Sequence, residues 1–156
     1  MGKKESFLQT INDGYSVKGE SIVMGCAMLD GAAVPEAIVR VPLKTMNRHG
    51  LIAGATGTGK TKTLQVISEQ LSANGVPVLL MDVKGDLSGI AMPGTVKPFI
   101  TERHQLMSLP FSPKGFPVEL LTLSQQNGVR LRATVSEFGP VLLSRILDLN
   151  DTQEGG

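Results

Sequence analysis

Cysteine occurs once in this chain, at Cys26, and that scarcity excludes both an internal disulfide framework and a cysteine-cluster metal site. A lone thiol suits a reducing compartment and reads as a small buried hydrophobe. An excess of one charge sign is also missing. Fifteen basic residues against fourteen acidic ones leave a formal net charge of +1, so no global attraction to nucleic acid is expected and any such contact must be local. No apolar run approaches the length of a membrane span, and residues 1–12 lack the apolar core of a signal peptide. The expected location is therefore the cytoplasm, with no membrane partner. The opening MGKKES fits a short myristoylation pattern, read here as coincidence. The 156 residues, 41% of them hydrophobic, suffice for one domain with a real core.

What the chain does contain is a complete phosphate-loop pattern, Gly54-Ala55-Thr56-Gly57-Thr58-Gly59-Lys60-Thr61. A polyphosphate needs several main-chain N–H donors converging on it. The backbone must therefore curl where a Cβ would collide, which Gly54, Gly57 and Gly59 permit. Lys60 is expected to reach the β and γ phosphates, and Thr61 to offer its hydroxyl to Mg²⁺. Residues 54–61 with Lys62 form the candidate ATP site, Lys60 being the candidate catalytic residue and Thr61 the candidate metal ligand. The motif also requires a helix behind the loop, whose free N–H groups face the phosphates. Leu64, Ile67 and Leu71 share one helical stripe, and Asn74-Gly75 is a stop signal. In front, residues 51–53 are apolar enough for a short buried strand.

Elsewhere the pattern is mostly of strands. Residues 1–50 have strand rather than helix character: 21–29, closed by Asp30-Gly31, and 37–41, bracketed by Pro35 and Pro42, are expected to pair as an antiparallel unit. His49 reads as a loop residue leading toward the nucleotide edge, since no nucleophile or metal partner lies at a useful spacing. Residues 76–81 form a continuous apolar run suited to a parallel strand buried on both faces. Asp82, at its end, resembles a Walker B aspartate, but no acid follows it directly, and a positioning role at the sheet's C-terminal edge is the preferred reading. Lys84 and Asp86 are expected to pair with each other or with solvent. Five prolines between 93 and 117 exclude a long helix and leave an irregular excursion with one short helix over 101–107 and an exposed His104. Residues 118–123 and 129–135, separated by Asn127-Gly128, read as a β-hairpin that puts Arg130 and Arg132 on one face. These arginines could serve phosphate or a neighbouring subunit, although a solvated strand face is the preferred reading. A helix capped by Ser136 follows, with Val141, Leu142, Ile146 and Leu149 on its apolar side.

Three blocks, NRHGLIAGATGTGKT at 47–61, VLLMDVKGDLSGI at 78–90 and RATVSEFGPVLLSR at 132–145, resemble the bacterial HerA-like helicase-related ATPases of the HerA and FtsK branch of P-loop enzymes. The likeness runs from about residue 43 to 155 and keeps the family's block order. It implies an α/β fold, a RecA/ASCE-like P-loop parallel sheet core, here incomplete, preceded by a β-rich lead-in at 1–43 and carrying a C-terminal β-hairpin and helix. Residues 44–156 would be the N-terminal part of the ATPase domain. It further implies self-association into hexameric rings and movement along double-stranded DNA. Only the phosphate loop carries across residue by residue. The family's Walker B aspartate, the glutamate beside it, the sensor and the arginine finger are expected beyond residue 156, in a longer parent ATPase. The piece alone is then expected to bind nucleotide weakly or not at all and to turn over negligibly. Two other readings stand beside this one. One is a small P-loop kinase, for which the excursion with lone Arg103 makes a poor lid. The other is a non-enzymatic, nucleotide-responsive assembly module.

Overall fold

Asp30 and Gly31 both take left-handed backbone, with φ of 51° and 81°, as a two-residue type I′ turn requires. They fold β1 (Ser21–Leu29) onto β2 (Ala32–Pro42) as the expected antiparallel hairpin. Strand β2 extends through Pro35, and the pairing register skips there, between the partners Cys26–Ile38 and Met28–Ala33. Proline has no N–H to give a ladder, so a break at this point is where it is tolerated. Ile22, Val34 and Ala37 are the buried side chains of the hairpin; burying Ile22 fully contributes about 1.5–3 kcal/mol.

In a computed structural model describing residues 2–132 and 134–148, the chain divides into two units, Met1–Val118 and Glu119–Gly156. The first opens with a helix where strand character was expected, α1 (Lys3–Tyr15). Phe7, Leu8 and Ile11 form its half-buried face, and the helix lies chiefly along β2. Glu5 folds back to accept the Gly2 amide at 2.9 Å. The ammonium groups of Lys3 and Lys4 pair with Asp30 at 2.7 Å and Glu36 at 3.0 Å. All four side chains are solvent-exposed, so water and salt screen both pairs and neither adds much to stability.

Helix α2 (Lys60–Ala73) begins at the lysine of the phosphate loop, as the motif demands. It ends as Asn74-Gly75 predicts: Gly75 N–H reaches Ser72 O and Val76 N–H reaches Leu71 O, both at 3.0 Å. This is a Schellman stop. Gln70 on this helix clasps β1. Its Oε1 accepts the Val23 amide at 2.6 Å and its Nε2 donates to the Val23 carbonyl at 2.7 Å. The side chain thus acts as a one-residue strand partner at the place where β1 bulges.

The excursion after α2 is irregular, as its prolines require. It holds a 3₁₀ turn at Ser88–Ala91, whose Ile90 is buried, and α3 (Pro98–Leu106), which starts with proline at its first position.

Other expectations are corrected. Neither 51–53 nor 76–81 is a strand, and no parallel sheet flanks α2 among the described residues. A parallel strand needs ladder partners and cover on both faces, whereas Leu51, Leu79 and Met81 are strongly exposed. In the second unit, β3 (Leu121–Thr122) and β4 (Val129–Arg130) pair in parallel instead of as a hairpin. The reason is local: the Thr122 hydroxyl accepts the Ser124 amide at 3.1 Å and the Ser124 hydroxyl accepts that of Gln126 at 3.2 Å. These turns coil the chain before it reaches Asn127-Gly128, so that it returns in the same direction. Arg130 and Arg132 are exposed, but only Arg130 lies in a strand.

Helix α4 (Val135–Ile146) is capped by Thr134, not Ser136. Thr134 and Glu137 form a capping box, the Glu137 carboxylate accepting the Thr134 amide at 2.8 Å. The helix breaks at Gly139 (φ 69°), immediately before Pro140. Leu142 and Ile146 are exposed, and Leu149 lies outside the described residues. At the coarse level the fold is α/β, with one small antiparallel sheet and one two-stranded parallel pair.

The Gln70 clasp is testable. Gln70→Leu keeps the side chain's bulk but leaves the Val23 N–H and C=O without their partner. The expected loss of stability is about 1–3 kcal/mol by denaturant unfolding, with faster hydrogen exchange at the Val23 amide.

Candidate functional site

Residues 54–59 curl rather than extend. Ala55 O is the focus of the curl, accepting the Thr58 amide at 3.4 Å, the Thr58 hydroxyl at 2.8 Å and the Lys60 ammonium at 2.7 Å. Three glycines make this possible, Gly57 among them at φ 81°. Gly59 takes φ 97° as the residue before α2, a conformation that costs an L side chain strain. A Cβ on Gly54 would stand 2.5 Å from the Thr58 hydroxyl and dislodge it. The first intrahelical bond runs from Thr63 N–H to Gly59 O at 2.9 Å. The amides of Lys60, Thr61 and Lys62 therefore have no partner within α2 and face forward, at the positive end of the helix dipole.

A groove of about 570 Å³ opens in front of these amides. Thr56, Gly57, Gly59, Lys60, Thr61 and Lys62 form one wall, and residues of the 81–87 segment form the other. Gly54, Ala55 and Thr58 sit behind and make the loop's internal bonds. The structure thus brings the phosphate-loop residues singled out in the sequence to one place. A separate depression of about 460 Å³ beside α3 is lined by Val96, Pro98, Thr101, Glu102 and Gln105 and has no comparable donor set.

The 81–87 wall is built by Asp82. Its carboxylate accepts the amides of Gly85 at 2.7 Å, Leu87 at 2.9 Å and Asp86 at 3.2 Å. The Leu87 amide foremost, joined by those of Gly85 and Asp86, holds the carboxyl below the ordinary aspartate range, against an opposing effect of burial that is second in size only to the Leu87 bond. Asp82 is therefore a loop organiser. Asp86, expected to pair with Lys84 or solvent, instead accepts the Thr61 hydroxyl on Oδ2 at 3.2 Å, while its backbone carbonyl accepts Gln65 Nε2 at 3.0 Å. Gln65 is buried and takes Lys62 Nζ on its other atom at 2.8 Å. Sequence reasoning missed Asp86 and Gln65. The one available signal was Gln65 on the helix stripe beside Leu64, a polar residue on a face that must be buried and therefore needs partners.

Glu69 lies farther along α2 and does not line the groove. Burial pushes its carboxyl up, opposed by Lys62 and Lys114. His49 is exposed outside the groove. His104 is not exposed as expected: its ring sits half-buried, 4.7 Å from that of Phe111, with Nδ1 buried and unpartnered among the described residues. No cluster of three or more His, Cys, Asp or Glu side chains is poised to hold a metal among the described residues, nor is any helix there long and apolar enough to cross a membrane.

Sequence comparison adds the family. A model described as helicase HerA-like C-terminal matches residues 28–156, most of the chain. The chain belongs to the helicase HerA-like C-terminal family. No curated protein and no solved structure matches it. Within this HerA-like chain the matched span contains the whole groove, from the loop at 54–61 to the wall at 81–87.

The wall has a pH signature. Because the folded-state pKa of Asp82 is depressed, its contribution to holding the segment is complete above the ordinary aspartate value and is lost as pH falls through the folded one. Amide exchange at Gly85 and Leu87 is expected to stay slow down to a pH below that at which an unperturbed aspartate protonates. Asp82→Asn should loosen both amides wherever Asp82 is ionised and make little difference once wild-type Asp82 is protonated.

Proposed function

We propose that this chain binds ATP through residues 54–62 and contributes that site to a HerA-like motor of the P-loop class. The observation that carries the reading is the start of α2 at Lys60, directly after left-handed Gly59. It aims the helix's free amides, Lys60 and Thr61 into one groove. The residues present fit a triphosphate. The amides of Gly57, Gly59, Lys60, Thr61 and Lys62 supply donors, Lys60 and Lys62 supply positive charge, and the bare Gly54 lets the Thr58 hydroxyl close the loop behind them.

Lys60 exchanges its bond to Ala55 O for a phosphate oxygen when nucleotide enters. The competing carbonyl and the exposed loop keep the binding weak. Thr61 would offer its hydroxyl to a magnesium ion accompanying the nucleotide, which would supply positive charge against that of the transferring phosphoryl group. In the groove, Asp82 is committed to three amides and Asp86 to Thr61. Both carboxylates are occupied in building the groove, and hydrolysis is assigned to the assembled, ring-forming motor, with double-stranded DNA as its track. In that setting residues 44–156 contribute the first part of the ATPase sheet, and the apolar runs at 51–53 and 76–81 become its paired strands. Their present exposure is an edge that invites association.

Equilibrium binding of ATP, with turnover measured with and without duplex DNA, tests this reading. Wild type is expected to bind weakly and turn over negligibly, and Lys60→Ala to weaken binding by about tenfold or more, which is about 1.4 kcal/mol. An unchanged affinity in Lys60→Ala overturns the assignment.

A further inference from the structure

The carboxylate that faces the phosphate loop is not the one that ends the apolar run. Asp82, in the position that resembles a Walker B aspartate, is committed to the amides of its own turn. That turn carries Asp86 across to α2, where two contacts fix it independently. Buried Gln65 holds its main chain through a 3.0 Å bond to the carbonyl. Its side chain accepts the Thr61 hydroxyl at 3.2 Å. A hydroxyl has one proton to give. When Asp86 takes that proton, both lone pairs of Thr61 Oγ1 remain for an acceptor role, and the neighbouring negative charge favours a cation as the group they meet.

We propose that Asp86 is a positioning residue for the nucleotide's magnesium ion, holding the Thr61 hydroxyl so that its lone pairs face the ion. The inference rests on the reading of the groove as an ATP site. Magnesium demands near-ideal octahedral geometry and tolerates misplaced ligands poorly, so an unheld Thr61 rotamer costs metal affinity more than phosphate affinity. Asp86 is thereby separated from Lys60: Lys60 acts on the phosphates whether or not metal is present, and Asp86 acts only through the metal.

The test is the binding of a fluorescent ATP analogue to the full chain across a Mg²⁺ titration, for wild type, Asp86→Asn, Thr61→Val and the double variant. Asn keeps the shape of the side chain but is a weaker, uncharged acceptor whose NH2 can turn toward Thr61 Oγ1, so the hydroxyl is no longer held with both lone pairs free, and an unchanged melting curve checks that the fold survives. Asp86→Asn is expected to bind within about twofold of wild type in EDTA but to lose about tenfold of the tightening that Mg²⁺ provides. Thr61→Val should lose as much, and the double variant no more than either, because the two residues act as one unit. Thr61→Ser, which keeps the hydroxyl, should retain the Mg²⁺ response. An undiminished Mg²⁺ response in Asp86→Asn overturns the proposal and leaves the nucleotide reading intact. An equal loss with and without metal also overturns it, because Asp86 would then only dock the loop. A wild type that binds no analogue at all removes both readings together.

Discussion

The left-handed turn at Gly59 is the constraint on which the first unit depends. It ends the loop and starts α2 in one step, so the amides that no helical carbonyl can satisfy point away from the hairpin and toward the 81–87 segment. Had the helix begun a turn earlier or later, Lys60 and Thr61 would leave the groove, and the contact from Thr61 to Asp86 would be lost with them.

Helix α2 is held at both ends by side-chain amides. Near its start, Gln65 is bonded to Asp86 O and to Lys62. Near its end, Gln70 is bonded to both main-chain groups of Val23. Leu71, Leu87 and Ile90 are the buried apolar residues outside the hairpin among the described residues, a small core for a unit of this size. Much of the fixation of α2 therefore comes from directional bonds, which set its axial position more sharply than apolar contact does. A helix whose N-terminus must meet a ligand benefits from that kind of fixation.

The parts legible in the sequence were those with strong local chemistry. Asp30-Gly31 fixed one turn, Asn74-Gly75 stopped one helix, and the loop pattern set the start of α2 to the residue, whereas the short helix expected over 101–107 starts earlier, at Pro98. What was not legible depended on distant partners. Helix α1 has only Phe7, Leu8 and Ile11 to mark its inner face, too short a stripe to stand out from a polar lead-in. The apolar runs at 51–53 and 76–81 have strand composition, but composition does not supply neighbours. At 118–135 the Asn-Gly signal lost to the hydroxyls of Thr122 and Ser124, which turned the chain first. In the groove, the glycines, Lys60 and Thr61 could be read directly. Asp86 could not, because nothing in its neighbourhood says that a carboxylate four residues after Asp82 will reach back to α2.

The central claim is that the main chain of 54–61 wraps a triphosphate. The most direct measurement is a two-dimensional amide NMR titration of the full chain with ATP and Mg²⁺. The account predicts the largest shifts at Gly57, Gly59, Lys60 and Thr61, followed by Asp86 and Leu87 on the facing wall. Shifts confined to the α3 depression around Thr101 and Gln105, or none in the loop at saturating nucleotide, would contradict it.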